Sequence, residues 1–273
     1  MMIRQPQVAG AFYPALMQDL YEQVNSLIAS GNEKSNVAAA VVPHAGLMYS
    51  GAVAGKVYSR IKKADTFVLV GPNHHAVGSD FSIMLKGLWR TPLGEVKVDD
   101  LLAKEVFKKN QYLQQDPFAH EREHSLEVQL PFIQTLFAEA EIIPITIKHY
   151  KPEGVFLKQC ECVGESIAEA VDEANHNVVL VASTDFSHYV HQSVAQKKDK
   201  KAIQTIIDMD PEKLFKVVWE EEISMCGYAA CACVLYAAKK LGAKNAELIE
   251  YMTSGDTTGD LSQVVGYAGL TIK

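Results

Sequence analysis

The sequence predicts an α/β fold, a single domain over residues 1–273 with a central sheet flanked by helices. Two observations carry this. Short strand-like runs alternate with segments of helical period along the whole chain. Three of those runs, Val37–Val42, Thr66–Val70 and Val178–Val181, break at once into Pro, Gly or Ser and then present a histidine. In an open parallel sheet, ligands bind in the crevice at the carboxyl ends of the strands. Three histidine-bearing loops are therefore expected to face one cleft.

The elements follow in order. Asp19–Ala29 places Leu20, Val24, Leu27 and Ile28 at helical spacing and stops near Ser30-Gly31. The first strand leads to His44, and Gly51–Ile61 reads as a helix with Val53, Val57 and Ile61 on one face. The second strand delivers His74. Phe81–Leu88 and Gly94–Val98 read as strands joined by the turn-rich Trp89–Gly94. Leu101–Lys109 and Leu126–Leu136 are expected helices, the second bent at Pro131. Ile142–Ile147 is another buried strand, Lys158–Ala174 an amphipathic helix, and Asn175-His176-Asn177 a turn into the strand that ends at Asp185. Helices are then expected over Ala202–Met209, Pro211–Glu222 and Tyr228–Leu241, with Leu248–Met252 and Val264–Ile272 closing the sheet around a Gly255–Gly259 loop.

Bulk composition excludes several classes. Hydrophobic residues make up 48% of the chain, enough for a sizeable core, and the net charge is −7. The longest basic run, Lys197–Lys201, is diluted by Asp199 and reads as a solvated helix face, so no positive stripe suited to nucleic acid is present. The most apolar stretch, Ile223–Ala238, is interrupted by Ser224 and Gly227 and is shorter than the roughly 18 residues of a membrane span. No signal peptide is read at the start. Five cysteines, an odd number, are then expected as reduced thiols in a cytoplasmic protein.

The chemistry-bearing residues each have a plain structural alternative. His44 lies between Pro43 and Ala45-Gly46; alone it reads as a loop histidine bonded to backbone. His74 and His75 point opposite ways in an extended segment, so one faces the cleft; His74 is preferred, with His75 the alternative. Asp185 and His188 are three apart and share a face if a helix starts after Ser183-Thr184, which would let the carboxylate orient the imidazole. Helix capping by Thr184 or Asp185 is the plain reading. His124 sits among Glu121, Glu123 and Glu127, with Ser125 as a candidate N-cap; on its own the segment reads as a solvated acidic turn. Cys160, Cys162, Cys231 and Cys233 read as small core residues. Cys226 precedes Gly227 and a helix start, where free backbone N–H groups favour a thiolate. It is a metal ligand, a nucleophile or an inert buried thiol.

Taken together, Val8–Pro14, Pro43–Gly46, Gly71–His74, Thr91–Gly94, Glu123–Glu127, Ser183–His188 and Cys226-Gly227 resemble the Memo family, whose prokaryotic members are often called AmmeMemoRadiSam system protein B. The resemblance runs in order over nearly the whole chain. It implies the fold of the class III extradiol (LigB-type) non-haem iron dioxygenases, with the site at strand ends. It also implies His44, His74 and Cys226 as metal ligands, Asp185 and His188 in the same pocket, and His124 where those enzymes place a second-layer or catalytic histidine. A thiolate then stands in place of the dioxygenase carboxylate, which favours softer or later metals such as copper and argues against ring cleavage.

Three functions are open at this stage. One is a redox protein with iron or copper on His44, His74 and Cys226, and His188, oriented by Asp185, as acid–base group. Another is a binding module that takes a small-molecule or peptide ligand in the same cleft. The third makes Cys226 a nucleophile activated by His188 or His44. No oligomeric state follows from the sequence.

Overall fold

Four apolar runs become the parallel centre of one sheet: Ala39–Val42, Val178–Ser183, Thr66–Asn73 and Glu141–Lys148, paired in that order. This is seen in a computed structural model that describes residues 2–28, 31, 33–151 and 153–273. On one side the sheet continues antiparallel through Val264–Ile272, which also pairs with His188–Val190 and Ala246–Thr253. On the other it continues through Phe81–Ile83 and Gln114–Gln115. A separate small sheet joins Ile3–Arg4 to the hairpin Leu88–Thr91/Gly94–Lys97.

Helices cover both faces of the parallel centre. Tyr228–Lys240 packs on the parallel strands and is itself backed by Gly154–Asp172, while Leu47–Tyr58 packs on the opposite side near Val264–Ile272. Every residue of Thr66–Asn73 is buried, which is why the parallel strands read as continuous apolar runs rather than alternating ones. Among the described residues, no helix is long and apolar enough to cross a membrane.

Several expectations are corrected. Pro131 opens the helix Leu130–Leu136 rather than bending it, because the missing N–H falls in the first turn, and a 3-10 turn over Glu127–Gln129 precedes it. Trp89 is not in a turn; it is a fully buried strand residue. The Gly255–Gly259 loop is a short helix, Ser254–Thr258, capped reciprocally by Thr253 and Asp256 and ended by Gly259 at φ +77°. The helix expected from Ala202 already begins at Gln192, since Ala195, Asp199 and Ala202 continue its buried face. Asp199 is therefore no solvated charge: it accepts from Ser187 N–H and Oγ (3.0 and 2.5 Å) and from the Tyr251 hydroxyl (2.8 Å). The first helix is Met17–Leu27; the Ser30 expected to stop it lies outside the described residues.

Candidate metal centre

The carboxyl ends of the four parallel strands feed one corner: Val42 leads to His44, Asn73 to His74, Ser183 to Asp185, and Lys148 to His149. His44 is buried, with Nδ1 2.9 Å from Ser183 Oγ. Ser183 donates its single hydroxyl proton to Ser125 O (2.7 Å) and accepts from Gln129 Nε2 (2.9 Å). It must therefore accept from His44 as well. Nδ1 thus carries a proton, and Nε2 is the nitrogen turned towards the Cys226 thiol.

His74 is set by one carboxylate. Glu123, fully buried, accepts from the His74 backbone N–H at 2.6 Å and lies 2.9 Å from its ring Nδ1. Burial pushes the Glu123 carboxyl up, yet the hydrogen bond and charge of His74, with the Ser125 N–H, hold it far below the usual range. For His74, burial opposes the charge, while hydrogen bonds with Cys226 and Glu123 lift its pKa to about 10.

Cys226 sits just before Gly227, the N-cap of Tyr228–Lys240. A Cβ on Gly227 would meet Ser183 O at 2.5 Å, so only glycine lets the chain press this close to the strand end. Gly227 N–H donates to Thr184 Oγ1 (2.9 Å), which seats the thiol. Its Sγ accepts from Asp185 N–H (3.2 Å) and lies 3.4 Å from His44 Nε2. Burial raises the thiol pKa, but the charge of His44 and hydrogen bonds with His44 and His74 bring it down to about 7.

His44, His74 and His124 offer donor nitrogens within 4.8 Å of one another, with Cys226 alongside. His124 stacks on His74 (centroids 4.6 Å) and meets Phe12 edge-on (4.9 Å). Its Nδ1 stays 3.6 Å from Glu123 Oε1, beyond hydrogen-bond reach. Burial, then the charge of His44, lowers its pKa to about 3 and keeps it neutral. His75 turns outward, but with Glu123 and His124 it forms a second donor cluster. Imidazole nitrogens beside a thiol of lowered pKa suit a borderline or soft first-row metal.

Two local expectations differ. Residues 184–187 enter no helix, so Asp185 and His188 do not share a face in the expected way. Asp185 Oδ1 accepts instead from His44 N–H (2.9 Å), and burial raises its pKa to about 6 against that bond. His188 is oriented by Ser224, whose carbonyl lies 2.7 Å from its Nδ1. Ser125 caps no helix; its N–H donates to Glu123 (2.8 Å) and its hydroxyl to Pro72 O (3.0 Å). His124 reaches the corner from that loop.

Sequence reasoning missed Glu123 and His149. Nothing local distinguishes Glu123 from its exposed neighbours Glu121 and Arg122. His149 carried the same strand-then-histidine signal after Ile142–Ile147. It packs edge-on against Tyr228 (5.1 Å) in a cleft of ≈ 1140 Å³ that also takes in His74, Cys226, His188, Tyr150 and Trp219. Cys160, Cys231 and Cys233 are core residues as expected, and burial pushes the Cys160 and Cys231 thiols up.

A family model described as Memo-like protein matches residues 4–271. A MEMO1 family protein of Nitrosopumilus maritimus is 41% identical over 98% of this chain and 99% of its own length. One from Methanococcoides burtonii is 42% identical over 99% of this chain and 100% of its own. A third, from Caldivirga maquilingensis, is 39% identical over 99% of each.

Proposed function

The chain belongs to the Memo-like protein family, and from that premise we propose a metal-dependent oxidoreductase in which His44, His74 and Cys226 hold one iron or copper ion. One observation carries the reading. His44 and His74 each have Nδ1 engaged by a buried group of the protein, Ser183 and Glu123, which leaves Nε2 of both for an ion beside the Cys226 thiol. When bound, the metal supplies redox chemistry towards dioxygen or a small organic molecule.

The chain's own residues do the rest. Ser183 and Glu123 fix the two ring orientations. Asp185 ties the His44 turn to the Cys226 turn, accepting from one and donating to the other. With Nδ1 bonded to the Ser224 carbonyl, His188 presents Nε2 to the cleft as a proton acceptor. His124, neutral, is a second acceptor at the corner. In this reading the cleft is kin to that of LigB-type extradiol dioxygenases, but a thiolate replaces the carboxylate and ring cleavage is not expected. The five free thiols accord with a reducing, cytoplasmic setting.

The test is oxygen uptake by protein reconstituted anaerobically with Fe²⁺ or Cu⁺, measured against a panel of small metabolites. Uptake that depends on one substrate and is lost in Cys226→Ala and His188→Ala supports the reading. The size of the cleft also favours a second one, a module that binds a small molecule or peptide without turnover. A saturable ligand recovered unchanged from metal-loaded protein would replace the first reading with the second.

A further inference from the structure

The Val8–Pro14 stretch and Arg4 play no part in the reading above, yet they are wired into it. Arg4 is buried, and apart from one bond to the neighbouring Gln5 O (3.2 Å) its guanidinium serves residues 120–127. Nε donates to His120 O (2.8 Å), Nη2 to Glu123 O (2.6 Å), and Nη1 to the Glu127 carboxylate (2.6 Å). The group lies 4.2 Å over the Trp89 ring, which fixes its plane. Glu127, also fully buried, accepts further from the N–H groups of Gln7 and Val8 and from the Tyr13 hydroxyl (2.5 Å). Residues 4–13 are thus stitched to residues 120–127.

Both ends of this stitching reach the metal corner. The Glu123 whose carbonyl Arg4 holds is the residue whose carboxylate holds His74. At the other end, Phe12 packs on His124 and its carbonyl accepts from Leu47 N–H (2.7 Å), three residues beyond His44. His44 and Cys226, by contrast, are set by Ser183, Thr184 and Asp185 at a strand end. The corner therefore has two arms with different direct supports, which meet where Ser183 donates to Ser125 O and accepts from Gln129.

We propose that Arg4 is a positioning residue for the metal corner, setting the His74–His124 arm against the strand-borne His44–Cys226 arm through the 120–127 loop. The inference rests on the metal reading above. A planar fork is needed to reach three acceptors at once; a lysine ammonium keeps the charge but loses that geometry. Arg4→Lys should therefore leave a folded protein with the His74–His124 arm misplaced.

Co²⁺ is the probe, because its absorption bands report ligand geometry and thiolate coordination without any need for turnover. Wild type, Arg4→Lys and a control, Ile167→Ala, are titrated with Co²⁺. Ile167 is fully buried on the Gly154–Asp172 helix, so its truncation lowers stability away from the corner. The expected result is affinity about tenfold weaker and shifted bands in Arg4→Lys, with both unchanged in the control. If Arg4→Lys fails to fold, Arg4→Met/Glu127→Gln, which removes both buried charges but keeps an acceptor for Gln7, Val8 and Tyr13, carries the same test. Wild-type affinity and bands in the Arg4 variant overturn the inference alone. Wild type that takes up no metal overturns it together with the metal reading.

Discussion

Glu123 grips His74 twice, at the backbone N–H (2.6 Å) and at ring Nδ1 (2.9 Å). One buried carboxylate thus fixes both where the histidine starts and how its ring turns. An amide cannot replace it, since one of its two ends must donate towards a group that already donates. Glu123→Gln should weaken metal binding by about 10–100-fold and cost roughly 1–3 kcal/mol of stability. Chelator competition and thermal unfolding read the two effects separately. Undiminished metal affinity would remove Glu123 from the account.

Cys226 should be the fast thiol of metal-free protein. Its pKa of about 7 and its place on the cleft contrast with Cys160 and Cys231, whose thiols burial raises. Iodoacetamide followed by peptide mapping should label Cys226 first, at a rate that rises through neutral pH, and bound metal should protect it. Equal labelling of metal-free and metal-loaded protein would argue that the thiol is no ligand.

His120 should make the fold sensitive to acid. Burial, reinforced by the charge of Arg4, lowers its pKa from 6.5 to about 3. Above pH 6.5 neither state is protonated and the ring contributes nothing. Between that value and about 3 the unfolded chain takes up a proton that the folded ring refuses, so stability falls by up to about 1.4 kcal/mol per pH unit. Among the described residues neither ring nitrogen makes a hydrogen bond of good geometry beyond a weak interaction with the Ser82 backbone, so His120→Leu should cost little at pH 7. Urea unfolding at pH 7 and pH 4.5 should show a smaller loss between the two in the variant. An identical loss would place the acid sensitivity elsewhere.

Gly227→Ala should damage the site from outside it. The added Cβ would lie 2.5 Å from Ser183 O and 2.6 Å from Thr184 Cβ, so backbone must move and carry Cys226 with it. We expect a loss of about 1–3 kcal/mol and weakened metal binding in the protein that still folds. Circular dichroism and metal titration together check this; full metal affinity would show that the tight approach does not seat the thiol.

How much of this was legible is best seen at the strand ends. The strand-then-histidine pattern located His44 and His74 because it depends only on local period and on a break, and both survive folding unchanged. The same pattern extended to His149. Ranking Cys226 as a ligand needed the family resemblance, since a thiol before a helix start also fits an inert core residue. Asp185 and His188 were paired on helical spacing, a rule that lapsed when the chain left the strand without entering a helix. Glu123 and Asp199 read as solvated charge, and Arg4 carried no signal at all. Their burial is decided by partners far along the chain, as with Arg4 and Glu123, 119 residues apart, and no local window contains that information.

The most direct test is the metal content of protein purified without oxygen, wild type beside Cys226→Ala, measured by elemental analysis. Wild-type protein should carry close to one iron or copper per chain, and Cys226→Ala should lose it. Wild-type protein that is folded yet takes up neither metal on reconstitution would contradict the metal reading.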